Sequence, residues 1–166
     1  MTRYVGIDPS TKTGLVILNE SGEVLHKEEI TTKKTKEPQR FIDIANKIER
    51  RLAFGDVICI EGFSYGSKGK GVSTQYGIGW QIRSMLVIYG FDYYEVAPGA
   101  VKKFASGKGN TKKDELVLPI YKRWGFESSS DNIRDAYILS QIARGIEELG
   151  ELTKFQYEVV KTVKGA

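Results

Sequence analysis

The chain opens on short apolar runs separated by Gly, Ser, Thr and Asn, then passes into longer stretches whose apolar residues recur at helical spacing. Residues 4–8, 13–19 and 24–31 read as three strands of an antiparallel meander, with Ser21-Gly22 turning the second hairpin. A helix is predicted over 38–53, where Phe41, Ile44, Ala45, Ile48 and Leu52 make one apolar stripe. Residues 57–61 form a fourth strand, and a Gly/Ser/Lys loop covers 62–71. A helix over 73–89 leads to a fifth strand at 93–96. Its core stripe is Ile78, Ile82, Met85 and Tyr89, while Tyr76, Trp80 and Val87 lie on the opposite side. The remainder reads as a short helix at 98–104, a loop at 106–110 and a helix at 112–124 that Pro119 should kink. A helix over 131–149 and a helical tail over 153–163 complete the chain. The order predicts a mixed α/β fold, a five-stranded sheet flanked by helices, with a parallel crossover between the fourth and fifth strands.

Composition narrows the classes. A chain of 166 residues with no internal repeat or linker is expected to be one domain, 1–166. No apolar run approaches the roughly 20 residues of a membrane helix, so no membrane association is expected. The strand-like start leaves no signal peptide visible. The single cysteine, Cys59, falls in a core strand, which excludes a disulfide framework and favours a cytoplasmic setting. The net charge of +4 is mild, and its distribution says more. Lys102, Lys103, Lys108, Lys112 and Lys113 crowd one segment without an intervening acid. Lys33, Lys34, Lys36 and Arg40 follow the third strand, and Lys68 and Lys70 sit in the Gly-rich loop. Lysines around strand ends suit phosphate contacts.

Candidate chemistry lies at those strand ends. Asp8 closes the first strand and Glu61 the fourth, where α/β sheets place their sites. A third acidic group, Asp131-Asn132-Ile133-Arg134-Asp135, opens the late helix. At about 100° per residue, Asp135 falls about 40° from Asp131, with Ile138, Leu139, Ile142 and Ile146 within about 60° of Asp135. Asp135 thus heads the core-facing stripe and needs a cation or a donor. Asp131 serves either as a further ligand or as the helix N-cap. Carboxylates gathered this way repel unless a cation offsets them, so a divalent-metal site is the economical reading. Lys113 shares its face with Leu116, Val117 and Ile120 and should point at the sheet end. Thr111 is expected to cap that helix with Asp114 in a capping box, while Lys103 and Lys112 face solvent or a phosphate backbone. His26, the only histidine, is remote from these motifs, which argues against a histidine-based triad.

Four spaced motifs together resemble the RuvC-type Holliday junction resolvases, and their phage-borne branch in particular. They are Gly6-Ile7-Asp8-Pro9-Ser10-Thr11-Lys12-Thr13-Gly14, Ile60-Glu61-Gly62-Phe63, Val101-Lys102-Lys103-Phe104 with Gly107-Lys108-Gly109 and Lys113, and Asp131 with Asp135-Ala136. The resemblance implies a ribonuclease H-like fold, a homodimer, and cutting of four-way junctions and other branched DNA with two Mg²⁺ or Mn²⁺ ions per site. It matches Asp8, Glu61 and Asp135 to metal carboxylates, and Lys102 and Lys113 to active-site lysines. Many members carry an acid or His three residues before the last Asp, where this chain has Asn132 and places Asp131 one residue earlier. Phe63 and Tyr65 match a position that presents an aromatic to DNA bases, although a ring there could equally anchor its loop. Lys68, Lys70, Lys102, Lys103, Lys108, Lys112 and Lys113 are the expected DNA contacts. Tyr76, Trp80 and Val87 would meet either a second subunit, as the dimer interface, or the C-terminal tail. Competing readings are an actin/sugar-kinase-like ATPase, from the likeness of residues 6–11 to its first phosphate loop, a non-catalytic nucleic-acid-binding relative, and an RNA-trimming nuclease.

Overall fold

The computed structural model describes residues 1–165. Strands β1 (Tyr4–Asp8), β2 (Thr13–Leu18) and β3 (Val24–Ile30) form the antiparallel meander, and α1 (Gln39–Glu49) carries the chain to β4 (Val57–Glu61). β4 lies parallel to β1, and after α2 (Val72–Ile88), β5 (Tyr94–Val96) lies parallel to β4. The sheet order is β3-β2-β1-β4-β5. Then come α3 (Pro98–Ser106), a 3₁₀ turn (Lys113–Leu116), α4 (Val117–Trp124), α5 (Asp131–Ile146) and α6 (Lys154–Gly165). The expected mixed five-stranded sheet flanked by helices is present.

Period-two alternation assigns each strand residue to one of two cores. Val5, Ile7, Leu15, Ile17, Ile58 and Ile60 face α1 and α2. Tyr4, Val16, Leu18, Cys59 and Val96 face α3 to α6. Asp8 shares parity with Tyr4, and Glu61 with Cys59, so both strand-terminal acids belong to the α5 side. Glycine brings α5 down onto that side. A Cβ at Gly6 would lie 1.9 Å from the Ala136 carbonyl oxygen, and one at Gly14 would lie 2.1 Å from that of Asn132. No other residue lets the α5 backbone sit this near the sheet. α5 is consequently buried almost all round, from Ile133 to Ala143, rather than along one stripe.

Several expectations are corrected. α1 stops at Glu49 rather than 53, and the chain tightens at Arg51 and Leu52 before Gly55, at φ 90°, turns it into β4. The 112–124 helix is two pieces. Pro119 falls in the first turn of α4, where a missing N–H costs nothing, so it helps to start a helix instead of kinking one. α5 ends at Ile146, where Glu148 (φ 59°) and Gly150 (φ 80°) reverse the chain. Tyr89, expected in the core, caps α2 and is 57% exposed; Leu86 takes the buried position. Ser130 is the N-cap of α5, its hydroxyl accepting from the Ile133 N–H at 3.1 Å, so Asp131 is not the cap. Thr111 caps nothing: its hydroxyl donates to the Lys108 carbonyl at 2.8 Å.

Candidate metal centre and nucleic-acid interface

β1 and β4 run parallel in register, Ile7 beside Ile60, so Asp8 and Glu61 end side by side on the same face. Close packing of α5 on Gly6 then brings Asp135 over them. Oxygens of Asp8, Glu61 and Asp135 all lie within 4.8 Å of one another, the arrangement that a hard divalent cation with oxygen ligands would use. Asp8 and Asp135 are each only 8% exposed. Burial, the Glu61 charge and a hydrogen bond with the Glu61 carboxyl hold Asp8 well above the usual carboxylate range. Burial also raises Glu61, against the pull of Asp8, Lys113 and Lys102. Asp135 is pushed up to about 7 by burial and then by Glu61. Without a cation the cluster retains protons, and a cation would displace them.

The acids open into a cleft of about 420 Å³, lined also by Ser10, Phe63, Gln75, Lys102, Lys113 and Asn132. Gln75 ties α2 to the β1 end by donating to the Pro9 carbonyl at 2.6 Å. Asp131 stands outside the acidic cluster. Its Oδ2 accepts from Lys113 Nζ at 2.9 Å, which lowers the Asp131 pKa and raises that of Lys113. Helix phase alone favoured Asp131 over Asn132 as the neighbour of Asp135. The lysine delivered by the 3₁₀ turn draws the first-turn carboxylate aside, and Asn132 lines the cleft instead.

The lysines fall into three settings. Lys102 and Lys113 line the cleft, while Lys103 pairs with Glu158 of α6 at 3.1 Å instead of standing free. Lys68, Lys70, Lys108 and Lys112 are exposed, outside the helices and strands.

Phe63, left open between base contact and loop anchoring, has a seat on α2. Its ring stacks on Tyr76 (4.9 Å between centroids), tilts against Trp80 (5.1 Å) and lies 4.2 Å from Arg83 Cζ. A Cβ at Gly79 would come within 2.4 Å of that ring, so this glycine makes the seat. Tyr65, 77% exposed, is the more open aromatic of the loop, its ring tilted at the edge of this group 6.1 Å from Phe63 and 6.3 Å from Tyr76. Tyr76 is half-buried beneath Phe63, whereas Trp80 and Val87 remain exposed with Ile88 and Tyr89 beside them. Arg83, which sequence reasoning passed over, also lines the cleft. The available signal was a charge on a helix between core positions Ile82 and Met85.

No family model matches this chain, and no curated protein matches it. Solved structures do. The Thermus thermophilus RuvC structure superposes with a TM-score of 0.71 at 18% identity, covering 91% of this chain and 99% of that one. T. thermophilus RuvC in complex with a Holliday junction substrate gives a TM-score of 0.68 at 17% identity, over 92% and 100%. The chain has a RuvC-like, ribonuclease H-like α/β fold. Among the described residues, no helix is long and apolar enough to cross a membrane.

Proposed function

We propose that residues 1–166 form one divalent-metal-dependent nuclease domain that cuts four-way junctions and other branched DNA. The observation that carries this reading is the convergence of Asp8, Glu61 and Asp135 at a RuvC-like sheet end, with their pKa values raised and two lysines on the same cleft. The three carboxylates would hold Mg²⁺ or Mn²⁺, all-oxygen ligands being the set such ions take. Bound there, the metal would supply activation of water and neutralisation of charge at a phosphodiester.

The chain's own residues do the rest. The carboxylates must shed their retained protons to bind, so metal uptake releases protons and strengthens as pH rises. Lys113 sits above the cluster, held by Asp131, where its ammonium can offset charge developing on a phosphate. Lys102 draws the Glu61 carboxyl toward its ionised form. Tyr65, Lys68 and Lys70 offer an exposed ring and two charges to the DNA arms leaving the cleft. A likeness to the phage-borne branch fits the short motifs, and Asp131 acts through Lys113 more directly than as a ligand.

Resolving a four-way junction takes two symmetric nicks, which a two-fold homodimer supplies. Trp80, 56% exposed, with Val87 two turns further along the same face of α2, is the natural anchor for a second copy. Trp80→Glu should give a folded monomer by sedimentation, and one that nicks junctions singly; a mutant that stays dimeric would remove this face from the interface.

The deciding experiment incubates the protein with labelled four-way junctions, linear duplex and structured RNA, each with Mg²⁺, Mn²⁺ or chelator. Metal-dependent cutting confined to branched DNA is expected, leaving 5′-phosphate and 3′-hydroxyl ends. Preferential cutting of RNA, or no cutting with either metal, would refute the proposal.

A further inference from the structure

One wall of the cleft is made by a charged side chain for which the proposed chemistry has no use. Arg83 is 2% exposed, and all three guanidinium nitrogens are engaged. Nε donates to Glu95 Oε1 at 2.5 Å, Nη1 to the Gly79 carbonyl at 3.0 Å and Nη2 to the Glu61 carbonyl at 3.2 Å. The Phe63 ring covers its face. A single side chain thereby joins the end of β4, the strand β5, the helix α2 and the 62–71 loop. Burying a guanidinium is costly unless its donors are met and its charge is balanced, and an apolar side chain could fill the same space without that cost. The network thus favours a positional role. Three of its five N–H donors are thus spent on Glu95 and on the protein's own backbone, which fixes the side chain in place.

The position it controls is that of Glu61. Glu61 is the last residue of β4, where the ladder ends and the backbone would otherwise be loose. Beyond it, the Gly62 N–H donates to the Val96 carbonyl at 2.7 Å, and Arg83 takes the Glu61 carbonyl. Both sides of the Glu61–Gly62 peptide are held, which sets the direction in which the Glu61 side chain leaves the strand. Glu95, next to Ile60 in the β4–β5 ladder, orients Arg83 from the far side.

We propose that Arg83, oriented by Glu95, is a positioning residue that aims the Glu61 carboxylate and couples it to the aromatic loop through Phe63. The inference rests on the reading of Asp8, Glu61 and Asp135 as a cation site, and its test separates the two. Full-length Arg83→Lys, Glu95→Gln and Asp8→Asn proteins are titrated with Mn²⁺ without DNA, free Mn²⁺ being read by electron paramagnetic resonance, with thermal melts alongside. Asp8→Asn should abolish tight binding. Arg83→Lys and Glu95→Gln should weaken it about tenfold, as loss of an outer partner does. In both, junction cleavage should recover at high Mn²⁺, which Asp8→Asn cannot match. Should Arg83→Lys fail to fold, Glu95→Gln carries the test, since Glu95 is half-exposed and replaceable. Variants that melt earlier yet bind Mn²⁺ like the parent would show a structural role only and overturn the proposal. Unchanged binding by Asp8→Asn would overturn the cation site itself, and this inference with it.

Discussion

The two ends of the β1–β4 pair treat charge in opposite ways. Where the strands begin, Arg3 Nε and Nη2 clasp both oxygens of Asp56 at 2.9 and 2.7 Å, and the Ala53 N–H donates to the same carboxylate at 2.8 Å. The Asp56 side chain is 2% exposed, and its charge is met in full. Where the strands finish, Asp8, Glu61 and Asp135 are also sheltered, but none forms an ion pair with an arginine or lysine among the described residues. Lys113, the nearest candidate, is already engaged by Asp131. A carboxylate neutralised at one end of a strand pair and three without an arginine or lysine partner at the other fit the cation site proposed for the second end. A satisfied pair gives stability, and an unsatisfied cluster gives binding.

Mutations at the two ends should therefore differ in kind. Asp8→Asn, Glu61→Gln and Asp135→Asn should each lower cleavage on the order of a hundredfold to a thousandfold, the scale of losing a preorganised electrostatic group, while junction binding persists. Arg3→Ala should leave cleavage by the folded protein intact but cost about 1–3 kcal/mol of stability, because Asp56 stays buried with only its main-chain donor. Full activity in any two of the carboxylate mutants would erase the distinction.

The acidic end should also make stability depend on pH. Burial pushes Asp135 up to about 7, so between about pH 4 and 7 the native state binds more protons than the unfolded chain. Metal-free protein should lose stability as pH rises through that window, and Asp135→Asn should be more stable than the parent at pH 8 by on the order of 1–4 kcal/mol. Asp56→Asn should be less stable at the same pH. Adding Mn²⁺ should raise the parent's Tm at pH 8 and leave that of Asp135→Asn nearly unmoved. Thermal melts in chelator and in metal measure all three.

Smaller effects separate the lysines around the acidic end. Lys113→Ala should slow cutting at saturating DNA by roughly 10–100-fold, since its ammonium lies beside the cluster. Lys68→Ala and Lys70→Ala should chiefly weaken binding, each reducing the slope of log K against log salt by about one. Single-turnover rates and salt titrations on the same junction distinguish the two classes.

Much of the geometry was readable in one dimension. Alternation along residues 4–8 and 57–61 put Asp8 and Glu61 at strand ends, and helical phase turned Asp135 inward. Those features depend on periods of two and 3.6 residues, which local sequence carries by itself. Gly6 and Gly14 stood in the first motif, but that they admit α5 to the sheet is a fact of packing. Where partners lie far apart in sequence, periodicity is silent. Asp131 and Asn132 are neighbours on one helical turn, and Lys113, arriving from another segment, decides which of them lines the cleft. Whether Phe63 met bases or anchored its loop was open in the sequence, and Gly79 and Arg83 supply the seat that anchors it. Sequence by itself determined the sheet, its flanking helices and the strand-end acids, because hydrophobic period and chain direction are local properties. Tertiary structure alone decided which charges meet, because a buried charge is settled by whichever partner the fold brings within hydrogen-bonding distance.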